Sequence, residues 1–230
     1  MKRCGIALTA CLFFSAVAVV LGGAWFNEDF TASKVEKKWM VTLYHADSTR
    51  PGAMPSTLLP QGGIGFGLLP TPDMAMLTTK HPSYNLKLLG NLSGRTVSAE
   101  IAVTGTGPSF IYYGAGGPAP GGFVRLYFRT LDQTLGESQY WWSNLAYEDL
   151  STLFDSAGVA TLVANLHPGL WSDRDGHLGE YDDAHRSAFA AAVYDVQEIG
   201  LSFGGGGFWA FGVGVSSGSA TFQLKSFGIC

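Results

Sequence analysis

Two stretches of the sequence decide the fold class: Val97-Ser-Ala-Glu-Ile-Ala-Val103 and Phe123-Val-Arg-Leu-Tyr-Phe-Arg129. In both, apolar residues recur at every second position, which is the period of a β-strand with one buried and one solvated face. In the first stretch, positions 97, 99, 101 and 103 are expected to point into the core. The second stretch predicts two sets of side chains: Val124, Leu126 and Phe128 inward, and Arg125, Tyr127 and Arg129 toward solvent.

The rest of the chain is also rich in strand-like runs. Short apolar or alternating segments predict strands at 39–44, 74–79, 86–89, 110–113, 139–143, 160–166, 198–203 and 220–229. The Gly- and Pro-rich segment 45–73 predicts a long ordered loop or irregular edge strands. Helical spacing is found in segment 184–196. About ten strands, Gly-rich turns and one short helix predict an all-β fold, a two-sheet β-sandwich of jelly-roll type.

Composition limits the class of protein. Of 230 residues, 47% are hydrophobic and 14% are charged, a balance that excludes an intrinsically disordered chain. The formal net charge is −4 and no basic patch stands out, so nucleic acid is not an expected partner. No shift in composition marks a second domain, and we predict a single β-sandwich domain over residues 25–230.

The N-terminus predicts export. Lys2 and Arg3 precede an uncharged, mostly apolar run at 4–23, which is the plan of a secretory signal. Cleavage between Ala24 and Trp25 would leave small residues, Gly22 and Ala24, at the third-last and last positions of the signal. An uncleaved anchor is the alternative, because about 20 apolar residues can span a bilayer. Residues 1–24 are therefore predicted as a signal peptide or membrane anchor, and the domain as secreted, periplasmic or extracellular, or held by this anchor.

The cysteines do not form a disulfide framework. Cys4 and Cys11 lie in the N-terminal segment, which leaves Cys230 alone in the domain. A single cysteine cannot form an internal bridge. Cys230 is predicted as an exposed or edge-strand residue, with a role in dimerisation as the alternative.

The order of segments between residues 90 and 229 resembles a known group of domains. It is carried by Leu89-Gly-Asn91, Val124-Arg-Leu-Tyr-Phe128, Tyr140-Trp-Trp-Ser-Asn144, Leu166-His-Pro-Gly-Leu-Trp-Ser-Asp173, then a helix, Ile199-Gly-Leu-Ser-Phe203 and Ala220-Thr-Phe-Gln-Leu224. This order resembles the galactose-binding-like jelly rolls, which include many carbohydrate-binding modules and the laminin B (type IV) domain. The resemblance implies a sandwich that binds a polysaccharide or glycoconjugate without reacting with it. The laminin-like members imply a structural or adhesive role, with an extracellular or envelope protein as partner.

The resemblance also raises the question of a structural calcium ion. Many such modules hold calcium with acidic side chains near the N-terminus and in the last strand. Glu28 and Asp29 can supply the first half, but the last strand reads Lys225-Ser226-Phe227 and contains no acid. A structural calcium ion is therefore not expected, and no cofactor is predicted.

Aromatic and polar side chains on two strands form the candidate binding site. Sugar recognition needs flat aromatic faces for the pyranose ring and planar polar groups for its hydroxyls. The candidates are Arg125, Tyr127 and Arg129 on one strand, and Tyr140, Trp142 and Asn144 on the next. The alternative is that these side chains only pack the sheet, with the arginines paired to acids such as Glu100.

An acidic loop follows these strands and holds seven ionisable residues: Asp173, Asp175, His177, Glu180, Asp182, Asp183 and His185. Asp173 and Asp175 are the candidate metal ligands, since carboxylate oxygens at this density can hold calcium. The loop lacks the D-x-D-x-D-G order of calcium loops, and a solvated acidic loop is the alternative. His177 and His185 lack the His-x-x-x-His spacing of a helical zinc pair.

Signals of catalysis are weak, which favours a binding domain over an enzyme. The sequence contains no G-x-S-x-G nucleophile elbow. Glu137 and Glu148 can form the carboxylate pair of a glycoside hydrolase only if a cleft separates them suitably, and surface positions are the simpler expectation. A glycan-acting hydrolase or lyase remains as a third hypothesis, after the carbohydrate-binding module and the laminin-B-like interaction protein.

Overall fold

The computed structural model describes residues 26–31, 35–43, 52–79, 88–114, 116–130, 140–156, 158–205 and 212–230. Within these ranges the chain forms fourteen strands and two α-helices. The strands are β1 Phe26–Glu28, β2 Met40–Leu43, β3 Ala53–Pro55, β4 Thr57–Leu58, β5 Ile64–Gly67, β6 Met74–Thr79, β7 Thr96–Gly114, β8 Gly117–Pro120, β9 Phe123–Arg129, β10 Tyr140–Asp149, β11 Val159–Asn165, β12 Trp171–Ser172, β13 Glu198–Gly204 and β14 Val213–Ile229. The helices are α1 Leu150–Asp155 and α2 Asp183–Tyr194.

The two longest strands, β7 and β14, form the central ladder of the fold. They pair antiparallel from Val97 opposite Ile229 to Tyr112 opposite Val213. On the far side of β7 lies β11, while β1 and β5 pair with β14. At Val213, β14 meets β6, which leads on through β13, β9 and β10 to β12. All these pairings are antiparallel. Because neighbouring pairs share a strand, the strands form one continuous network that supplies both layers of the fold.

The β7–β14 ladder is irregular near its middle, a feature typical of paired strands that bend. The ladder shifts register twice between Val215 and Ser219, and the residues of both strands around this point are exposed. Gly105 and Gly218 adopt positive φ there. A side chain at Gly105 would overlap the carbonyl oxygen of Ser219, so this close approach of the two backbones requires glycine.

The core lies between the two layers. Phe203 of β13 packs edge-on against Phe222 of β14 at 4.8 Å and against Phe66 of β5 at 5.7 Å, distances between ring centroids. Because β13 pairs with β6 and β9, these contacts cross from one sheet to the other rather than follow a ladder. Trp39 joins the layers in the same way through Phe227, at 5.2 Å. The predicted all-β sandwich is confirmed.

Helix α2 covers the inner face of β9 and β10. Its N-cap Asp182 accepts a hydrogen bond from the His185 amide, and its apolar stripe includes the buried Phe189. The Phe189 ring lies 4.9 Å from Trp141 and 5.8 Å from Phe128. This helix matches the predicted segment 184–196, but the prediction of a single helix missed the short α1, which Asp149 caps.

Most predicted strands agree with the structure. The runs predicted at 97–103 and 110–113 belong to one strand, β7, because the irregularity at Gly105 does not break its pairing with β14. The segment 45–73 contains the short strands β3, β4 and β5, as the irregular-edge alternative required. The prediction for 86–89 lies partly outside the described residues, and Leu88 and Leu89 lie in a turn.

The predicted signal or anchor at 1–24 lies outside the described residues. Within the residues that the structure covers, no helix has the length and hydropathy needed to cross a membrane. Cys230 is exposed, and its backbone exchanges two hydrogen bonds with Thr96.

The contact between α2 and the sheet gives a stability prediction. Phe189→Ala should lower the free energy of unfolding by about 3–5 kcal/mol, because it opens a cavity between Trp141 and Phe128. Urea denaturation followed by tryptophan fluorescence measures the loss. Tyr194→Ala, at an exposed position on the same helix, should change stability by about 0.5 kcal/mol or less. Equal losses in the two variants would contradict this placement of the helix.

Candidate functional site

Strand pairing brings most of the predicted binding residues together on the outer face of one sheet. Tyr127 of β9 lies opposite Trp142 of β10 and opposite Gly200 of β13. One pair further along, Arg129 lies opposite Tyr140 and Glu198. Side chains at paired positions share a face. We call the face formed by Arg125, Tyr127, Arg129, Tyr140 and Trp142 the aromatic–arginine face.

Much of this face is buried, which corrects the expectation drawn from the alternating pattern. Relative exposure is 0% for Tyr127, 6% for Arg125 and 3% for Trp142. The prediction that Arg125 and Tyr127 point into solvent is therefore wrong. Neighbours on the face contribute to this burial: the Tyr127 and Trp142 rings lie 5.3 Å apart, and Trp142 Nε1 donates a 2.9 Å hydrogen bond to Ser202 Oγ.

Arg125 interacts with the strand beside it. Its Nη1 donates to the carbonyl oxygen of Ser143 at 3.3 Å, and its guanidinium lies 5.5 Å from the centre of the Tyr147 ring. Burial lowers the pKa of this guanidinium from its usual value, while Tyr147 acts in the opposite direction. Arg125 therefore ties β9 to β10 from within the face.

Arg129 belongs to a polar network at the more open end of the face. Its Nε and Nη2 both lie 2.7 Å from Glu198 Oε2, and its Nη1 donates to the Tyr140 hydroxyl at 3.0 Å. The second oxygen of Glu198 accepts a 2.6 Å hydrogen bond from Thr78. The expected pairing of an arginine with an acid is thus present, with Glu198 rather than Glu100 as the partner.

The Arg129–Glu198 pair gives a second stability prediction. Glu198→Gln should destabilise the fold by about 2–3 kcal/mol, because it leaves a half-buried guanidinium without its counter-charge. Thermal and urea unfolding measure the change. The matched control is Glu180→Gln, at an exposed glutamate, which should shift stability by about 0.5 kcal/mol or less. A Glu198→Gln variant as stable as this control would show that the ion pair contributes nothing.

Asn144 does not join the other five residues in register. It lies where β10 shifts its pairing with β9 between Trp142 and Tyr147. The side chain is half-buried, and its Oδ1 has no hydrogen-bond partner among the described residues. The structure therefore separates Asn144 from the aromatic–arginine face.

The Tyr127 hydroxyl is an unusual feature of this face. It is buried, and within the described part of the chain no donor or acceptor reaches it. Burial, followed by the charge of Glu198, raises the pKa of Tyr127 well above its usual value. The surroundings of the phenol therefore favour its neutral form.

This unsatisfied hydroxyl gives a third prediction. Tyr127→Phe should leave the free energy of unfolding unchanged or raise it by up to about 1 kcal/mol, because it removes a buried polar group that makes no hydrogen bond. Urea denaturation measures the effect, with Trp142→Phe as the contrasting variant, since it loses the bond to Ser202. A loss of more than about 1 kcal/mol in Tyr127→Phe would indicate a partner for the hydroxyl.

A second cluster lies in the acidic loop. Asp173, His177 and His185 offer ligand atoms that all lie within 4.8 Å of one another. Among the residues that the structure describes, no other His, Cys, Asp or Glu side chains form such a group of three. Asp173 was a sequence candidate, whereas Asp175, the other candidate, lies outside the group and faces Arg174 at 3.9 Å.

The sequence did not predict His177 and His185 as metal ligands, because the His-x-x-x-His spacing applies only to two histidines on one helix. His177 closes a tight turn that begins at Asp173, with Gly176 at positive φ, and His185 lies in the first turn of α2. The available signal was the run Asp173-Arg-Asp-Gly-His177, a turn sequence with an acid and a histidine at its two ends.

Other sequence candidates have structural roles or lie elsewhere. Glu28 Oε1 accepts from the Phe30 amide, and Asp29 Oδ1 accepts from the amide and hydroxyl of Thr31. The Thr31 hydroxyl is the main cause that lowers the pKa of Asp29. Both carboxylates thus hold the turn after β1. Glu137, one half of the proposed carboxylate pair, lies outside the described residues.

Neither a protein-family model nor a curated protein matches the sequence. One similar solved structure comes from work on the endo-acting O-glycanases that prominent members of the human gut microbiota express to initiate mucin breakdown. It has a TM-score of 0.46 and 11% identity, and the match covers 89% of this chain and 97% of that chain. A likeness this distant assigns neither an activity nor a ligand.

Proposed function

We propose that this domain is a non-catalytic carbohydrate-binding module that contacts its glycan through Arg129 and Tyr140. One observation carries the proposal: a half-exposed tyrosine ring and a guanidinium lie together at the open end of the aromatic–arginine face. In keeping with the N-terminal segment, the proposal includes export of the domain, so that its ligand is a polysaccharide or glycoconjugate outside the cytoplasm.

The Tyr140 ring is held in a fixed orientation. It stacks on Trp142 with ring centres 6.2 Å apart and an interplanar angle of 15°, and the Arg129 guanidinium lies 5.1 Å from its centre. A rigid aromatic ring loses little conformational entropy when a ligand packs on it. Tyr140 is therefore suited to the apolar side of a pyranose ring.

Arg129 supplies directed hydrogen-bond donors beside that ring. Three of its N–H groups point to Glu198 and the Tyr140 hydroxyl. A guanidinium has five N–H groups, so about two have no partner among the described residues and can reach sugar hydroxyls. Burial lowers the pKa of the guanidinium, but Tyr127, Glu198 and Tyr140 together outweigh this effect and raise it. The two contacts with Glu198 also fix the plane of the guanidinium. The donors are thus oriented before a ligand arrives.

Glycan-array binding followed by titration with the best ligand tests the proposal. Tyr140→Ala should weaken binding about tenfold or more, because the sugar loses its stacking surface. The matched control is Tyr194→Ala, which removes an exposed tyrosine from α2 and should leave affinity unchanged. Circular dichroism and thermal melting confirm that both variants are folded.

The alternatives give different outcomes. If the wild-type protein binds no glycan and instead captures an envelope or matrix protein, the laminin-B-like structural role replaces this proposal. If the purified protein releases sugar from a polysaccharide, the module is catalytic. If glycan binding persists in Tyr140→Ala and in Arg129→Ala, the binding surface lies elsewhere on the sandwich.

A further inference from the structure

The histidine cluster has the dimensions of a metal site. Asp173 Oδ2 lies 3.4 Å from His185 Nε2 and 3.8 Å from His177 Nδ1. Ligand atoms about 2.0–2.2 Å from a tetrahedral zinc ion are separated by about 3.3–3.5 Å. The two distances from Asp173 Oδ2 are thus close to those of a zinc site, and the ligand atoms of all three residues lie within 4.8 Å of one another. Rotation of the two imidazoles about their side-chain bonds can bring the three atoms around one ion.

Hydrogen bonding orients His185 for this role. Its Nδ1 lies 2.6 Å from Asp182 Oδ1, and a carboxylate only accepts, so Nδ1 carries the proton. With that proton on Nδ1, Nε2 is the ring atom available to a metal ion, and it lies 3.4 Å from Asp173 Oδ2. A carboxylate behind a ligating imidazole is the usual outer partner in metal sites.

Asp173 is fixed in a way that leaves one oxygen available. The residue is 2% exposed, and its Oδ1 accepts from the amides of Asp175 and His177. Its Oδ2 faces the two histidines. A buried carboxylate that is hydrogen-bonded through one oxygen and aimed at two imidazoles with the other is costly without a positive charge nearby.

We propose that Asp173, His177 and His185 bind a divalent transition-metal ion, with zinc as the preferred ion, and that Asp182 positions His185. Two imidazoles and one carboxylate suit zinc and its neighbours rather than calcium or magnesium, which prefer oxygen ligands throughout. Three protein ligands leave a fourth position open. The exposed Tyr181 ring stacks on the His177 ring, with ring centroids 4.5 Å apart.

Calorimetric titration of the chelator-treated protein with ZnCl₂ tests the proposal, and Co²⁺ absorption reports the ligand geometry. We expect one site per chain, an increase in Tm on adding zinc, and the visible bands of tetrahedral cobalt. His185→Ala and His177→Ala should each weaken zinc binding by about 100-fold or more, and Asp182→Asn by about 10–100-fold. Asp175→Asn removes a neighbouring carboxylate outside the cluster and should bind zinc like the wild type.

The opposite results are equally specific. Absence of zinc binding by the wild-type protein, or equal affinity in the wild type and both histidine variants, would overturn the site. If a variant fails to fold, NMR of the wild type decides the matter: zinc must shift the ring signals of His177 and His185 and leave those of His167 in place. Shifts confined to other histidines would reject the proposal. Glycan binding by the aromatic–arginine face is measured separately, so either proposal can fail alone.

Discussion

The β7–β14 ladder is the interaction on which the rest of the structure depends. Each strand takes part in both layers, so the same backbone hydrogen bonds connect β11 and β5 on one side to β6 on the other. The ladder stays paired across its irregularity at Gly105 and Gly218. Contacts such as Phe203 with Phe222 then form because the ladder holds their sheets face to face. Loss of the ladder would remove both the architecture and the core.

The sequence predicted the strands well because period-two alternation reports a local property, the side to which each residue points. It predicted exposure on β9 poorly, because burial of the second face depends on neighbouring strands that lie far away in the sequence. Tyr127 is covered through Trp142 of β10, and Arg125 through Ser143 and Tyr147. The partner of Arg129 is likewise Glu198, a choice set by the β9–β13 register and invisible to any local pattern.

The histidine cluster illustrates a different limit of sequence reasoning. Spacing rules for metal ligands describe one element, usually a helix, whereas here a turn supplies Asp173 and His177 and the start of α2 supplies His185. Asp182 has two roles at this junction, since it caps α2 and holds the His185 ring. Hydrogen bonds from the amide and the ring of His185 lower the pKa of Asp182, which keeps it ionised for both roles.

One patch of the core supports both candidate sites. Ser172 of β12 pairs with Trp142, the ring on which Tyr140 stacks, and the next residue is Asp173. Trp171, beside it, packs on Phe128 at 5.0 Å, and Phe189 anchors α2 on the same ring. The aromatic–arginine face and the two elements of the histidine cluster are thus fixed by one patch of core around Phe128. Side chains held in this way need little reorganisation when a glycan or a metal ion binds, which favours tight and geometrically selective recognition.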